Sequence, residues 1–73
     1  MRIKLDLESD ALYFRISEDP IEESEEVGKG LIIDYDASGR VVGIEILNVQ
    51  DKFKMEDLTG LKFEMPAIAK VEA

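Results

Sequence analysis

The sequence predicts a mainly β fold: an antiparallel meander of four to five strands, built from two hairpins, with a short C-terminal helical segment (a small α+β arrangement at most). Three observations carry this expectation. Apolar residues recur with period two in four separate runs. Turn-forming residues separate the runs of each pair. The chain has 73 residues, enough for a single small β-rich domain over residues 1–73. A domain of this size buries only about 60% of the surface its unfolded chain exposes.

In the first pair, Ile3, Leu5 and Leu7 share one strand face, with Arg2, Lys4 and Asp6 opposite. After Glu8-Ser9-Asp10, Leu12, Phe14 and Ile16 resume the pattern, with Tyr13 and Arg15 on the other side. Matching Leu7 to Leu12 pairs Leu5 with Phe14 and Ile3 with Ile16, and leaves Ser9-Asp10 as a two-residue loop. In the second pair, Leu31, Ile33 and Tyr35 oppose Ile46, Ile44 and Val42. Its tip is Ser38-Gly39, closed by Ala37 and Arg40, or a four-residue loop in the same register, with glycine supplying a positive φ.

Between the hairpins lies "EDPIEESEEVGKG". Pro20, Gly28 and Gly30 break regular structure, so this stretch reads as a solvated acidic connection pinned by Ile21 and Val27. Its Glu22, Glu23, Glu25 and Glu26 are candidates for docking a basic protein partner. Further on, Asp51 is expected to cap a short helix that runs to Leu58 and ends at Thr59-Gly60, with Phe53 packed inward. Leu61, Phe63 and Met65 alternate as a fifth strand stopped by Pro66. The tail carrying Ile68 and Val71 is expected to fray.

Composition narrows the function. The formal net charge is −8, from 17 acidic and 9 basic residues, so nucleic-acid binding is disfavoured by repulsion from phosphates. There is no cysteine and no histidine, which removes disulfides, thiolate metal sites and the usual general base. Ser9, Ser17, Ser24 and Ser38 therefore lack an activating imidazole, and neither an enzyme nor a cofactor is expected. No apolar run is long enough to span a membrane, and the N-terminus lacks an apolar signal region, so a cytoplasmic location is expected.

"DYDASGRVVGIE", Asp34 to Glu45, matches the spacing of a calcium-binding loop. Asp34, Asp36 and Ser38 stand at liganding positions, Gly39 at the sharp turn and Glu45 at the bidentate position. The flanks, however, are β-branched and alternate with period two, where such a loop needs helices. In a hairpin, Asp34 opposes Gly43 and lies diagonal to Glu45, about 7–8 Å away, which leaves Asp34, Asp36 and Glu45 as at most a weak divalent-metal site. On the face opposite the main apolar set, Tyr13, Ile32, Val41 and Leu47 form a candidate interface, and a homodimer is expected.

"SDALYFRIS" and "EEVGKGLIIDYDASGRVVGIEIL" resemble the small prokaryotic domain of unknown function 2283 family. The resemblance covers roughly residues 6–48 and rests on Ser9–Tyr13 and the Asp34–Leu47 hairpin. It implies a small β-rich domain with no assigned activity and no catalytic residues to carry over, and it weakly implies an antitoxin-like role. The sequence thus points to a self-associating protein-interaction module. The alternatives are an antitoxin-like neutraliser of a basic protein and a weak metal-binding hairpin.

Overall fold

The computed structural model describes residues 1–66; the expected fraying of Ile68 and Val71 lies outside them. The architecture is a five-stranded antiparallel sheet followed by two short helices. Its strands are β1 (Arg2–Asp6), β2 (Ala11–Arg15), β3 (Glu23–Gly28), β4 (Leu31–Tyr35) and β5 (Val41–Leu47). The helices are α1 (Val49–Lys52) and α2 (Met55–Leu58). The order across the sheet is β1-β2-β5-β4-β3, so the last strand in sequence is the central one.

Both expected hairpins form. β4 and β5 pair as the apolar pattern requires, with Leu31 opposite Ile46 and Ile33 opposite Ile44. Beyond Asp34–Gly43 the register shifts by one, and Tyr35 faces Val41 instead of Val42. The cause lies in the turn. Asp36 N–H donates to Arg40 O at 2.9 Å, and Gly39 N–H donates to Asp36 O at 3.0 Å. The loop is therefore Ala37-Ser38-Gly39, a three-residue turn with Gly39 at φ 84°. This replaces the two-residue tip at Ser38-Gly39.

β1 and β2 keep the expected faces but sit two residues out of the expected register. Leu5 opposes Leu12 and Ile3 opposes Phe14. A slip of two preserves the face, so the apolar pattern does not oppose it. The Asp6 side chain selects it by accepting the N–H groups of Glu8 (3.0 Å) and Ser9 (3.3 Å), which winds Leu7–Asp10 into a longer loop.

Further expectations are corrected. Residues 23–28 are not a solvated connection but the edge strand β3, paired with β4 from Glu23–Tyr35 to Gly28–Leu31. No strand forms at Leu61–Met65, which runs irregular and exposed. The helical segment is also split. Asp51 lies inside the first turn of α1, not at its cap, and Phe53 is exposed between the two helices. The cap function comes from Asp10, whose main-chain O accepts Val49 N–H (3.2 Å) and whose carboxylate accepts Gln50 N–H (3.1 Å). Lys52 then donates through Nζ to Lys29 O at 2.9 Å, locking the β3–β4 turn against α1.

Ile3, Leu5, Leu12, Phe14, Leu31, Ile33, Ile44 and Ile46 share one sheet face. Leu12, Val42 and Val49 are its most buried apolar members and neighbours. Leu58 and Leu61, with Ile3, Leu5, Leu12 and Phe14, line a partly open apolar cavity of about 190 Å³. Among the described residues, no helix is long and apolar enough to cross a membrane.

Candidate functional site

The second sheet face carries a polar row. Register places Arg15, Gly43, Asp34 and Ser24 side by side across β2, β5, β4 and β3. Asp34 is only 6% exposed, a carboxylate buried in the middle of a sheet. Such a group is tolerated only when its oxygens find donors. Ser24 Oγ donates to Oδ1 at 2.6 Å, and Tyr13 OH donates to Oδ2 at 3.2 Å. Gly43 makes the room. A Cβ there would stand 2.7 Å from Asp34 Oδ2 and 2.9 Å from the Tyr13 hydroxyl. Arg15 flanks the row; its Nη2 donates to Asp19 O at 2.6 Å, and its Nη1 is buried with no hydrogen-bond partner among the described residues.

The Tyr13 and Ser24 hydrogen bonds to Asp34 tie β2, β4 and β3 together across Gly43 of β5. Asp34 is too enclosed for a substrate to reach, and the Ser24 hydroxyl is committed to it. The arrangement therefore acts as an internal strap, and no nucleophile emerges from it.

The calcium-loop residues are not brought together. Asp34 turns onto Ser24 and Tyr13. Asp36 is engaged inside its own turn, where Oδ1 accepts Ser38 N–H (2.9 Å), Ser38 Oγ–H (2.8 Å) and Arg40 N–H (2.9 Å). The Ser38 hydroxyl, then the Arg40 amide, hold the Asp36 carboxyl below the usual carboxylate range. Glu45 stands in the neighbouring row, between Tyr13 and Ile32. Among the described residues, no group of three or more acidic side chains is arranged to hold a metal ion.

The other candidate residues separate into two groups. Tyr13, Ile32 and Leu47 are half-buried, with the Tyr13 hydroxyl committed to Asp34; Val41 alone of that set is exposed. Glu22, Glu23, Glu25 and Glu26 are all exposed at the β3 edge, and Glu26 Oε2 accepts Gly30 N–H at 3.0 Å.

A further surface escapes sequence reasoning. Met1, Ile3, Phe63 and Met65 surround an open concavity of about 540 Å³ at the β1 end of the apolar face. Phe63 is 70% exposed and Ile3 41% exposed. The alternation of Leu61, Phe63 and Met65 looks like a strand, which hides their actual position beside Met1 and Ile3.

No match was found among curated proteins or among solved structures. Residues 2–50 match the family described as protein of unknown function (DUF2283), a span that takes in all five strands and the Asp10-anchored start of α1. The match covers well over half of the chain, and the protein belongs to that family.

Proposed function

We propose that the protein is a binding module, not an enzyme, and that it associates with a second copy of itself through the apolar face at the β1 end. The exposed Met1–Ile3–Phe63–Met65 concavity carries this reading. Fully covering a side chain of this kind contributes about 1.5–3 kcal/mol, and a two-fold contact uses each one twice. Charge supports the same placement. β3, with its glutamates, is the edge farthest from β1, so copies that meet at β1 keep their acidic edges apart. For a chain of net charge −8 this spacing matters.

Sedimentation equilibrium over a concentration series tests the reading. The expected mass is twice 8.2 kDa, returning to the single-chain value in a Phe63→Ser, Met65→Ser variant. A single-chain mass for the native sequence at every concentration overturns it.

A further inference from the structure

We propose that the outer edge of β3 is an acceptor for an extended, basic segment of a partner protein, which joins the sheet as a sixth strand. Among the described residues, β3 is the terminal strand of the sheet and is hydrogen-bonded to β4 on one side only. Residues 23–27 are all exposed. An edge of this kind offers main-chain donors and acceptors to an incoming strand, while side chains on alternate faces set the partner.

Those side chains specify charge. Glu23 and Glu25 project on the face of Tyr35 and Ile33, and Glu26 on the opposite face. Beside them runs an open groove of about 340 Å³ walled by Glu22, Glu23, Glu25 and Asp36, with Tyr35 along it. Carboxylates around an aromatic ring suit the ammonium or guanidinium head of a lysine or arginine placed on alternate residues of an added strand. The opposite end of the sheet among the described residues, β1, carries Arg2 and Lys4, so a basic segment discriminates between the two.

A second copy of this chain does not fit the β3 edge. Antiparallel β3–β3 pairing sets glutamates against glutamates, and like charges directly opposite are destabilising. The shift between Glu26 and Gly28 ends the regular stretch, so the acceptor length is about the four residues Glu23–Glu26.

The competing role for the same glutamates is to keep the edge from pairing with anything. Titration of the isotope-labelled full chain with an end-capped hexapeptide alternating lysine and valine separates the two. Amide shifts and slowed hydrogen exchange are expected at residues 23–26 and their β4 partners. The same peptide with alternate amides N-methylated keeps its charge but not its ladder, and is expected to bind about tenfold more weakly or worse. A Glu23→Lys, Glu25→Lys variant is expected to lose at least about tenfold in affinity, and the Glu23→Gln, Glu25→Gln variant to fall between. No shift at residues 23–26, shifts at residues 2–6 instead, equal binding of the methylated peptide, or unchanged affinity in either variant each overturns the proposal. The self-association mass is expected to be the same in all these variants, so this result and that of the β1-end contact are read separately.

Discussion

The Ser24 hydroxyl donates to Asp34 Oδ1 at 2.6 Å, which fastens the edge strand β3 to the interior strand β4 through a buried carboxylate. The space for that carboxylate exists because Gly43 has no side chain. Gly43→Ala is therefore expected to displace Asp34 from its partners and to destabilise the fold by about 1–3 kcal/mol, the range for stranding buried polar groups. Urea unfolding measures it. In an Asp34→Ala background the same glycine substitution is expected to cost less, because one of the two atoms it crowds is gone; equal costs in both backgrounds would falsify the coupling.

Leu12 lines the same cavity as Leu58 and Leu61 and is 6% exposed, whereas Ile3 on the same face is 41% exposed. Leu12→Ala is expected to cost about 2–5 kcal/mol. Ile3→Ala, which removes less buried surface, is expected to cost clearly less in the monomer. Thermal or urea melts of both variants at low protein concentration check the order, and a reversed ranking contradicts the placement of α2 over β1 and β2.

Asp10 supplies the cap that α1 lacks from its own Asn48, whose side chain makes no capping hydrogen bond. Asp10→Ala is expected to cost about 0.5–2 kcal/mol and to speed hydrogen exchange at Gln50. Asp10→Asn keeps an acceptor and tolerates the φ of 55°, so it is expected to cost less. Identical exchange at Gln50 in all three proteins would mean that the contact contributes nothing.

The Asp36 carboxyl is held low by the Ser38 hydroxyl and then by the Arg40 amide. Its folded value thus lies below the unfolded one. The stability it contributes is complete above the ordinary carboxylate value of 3.8 and is lost as pH falls through the folded value. Asp6, held low by Ser9, and Glu18, held low by Arg2, act in the same direction. The thermal midpoint is expected to drop on acidification in this range, and Asp36→Asn to flatten part of that drop. An acid limb of unchanged steepness in the variant removes Asp36 from the account.

Calcium at millimolar concentration is expected to leave the Asp34 and Glu45 resonances in place, since Asp34 is enclosed and already satisfied by two hydroxyls. A shared, saturable shift at Asp34, Asp36 and Glu45 would show that the hairpin opens to take the ion.

Alternation alone makes much of this legible, and each miss has its own physical cause. Leu31–Ile46 and Ile33–Ile44 were readable because alternation fixes the faces and the turn residues Ser38-Gly39 mark the tip that selects among the face-preserving registers. Leu5–Leu12 was not, because a slip of two leaves every side chain on its proper face; only the Asp6 turn decides it. β3 was hidden because its residues carry no apolar alternation, and its strand conformation comes from pairing with β4. The buried strap left one trace in the sequence: Asp34 between apolar neighbours, opposite a glycine within a β-branched run. The exposed group around Phe63 left none, since its position depends on where α1 and α2 send the chain.

The central place of β5 has a consequence for synthesis on the ribosome. β2 and β4 both border β5, so the main-chain pairing of the two halves of the sheet runs through it. A nascent chain released before residue 47 would hold two strand pairs or fragments with no spine between them. Vectorial emergence thus delays cooperative closure until nearly the whole matched region has left the exit tunnel, and a truncation ahead of Val41 should yield an unfolded polypeptide, not a smaller domain.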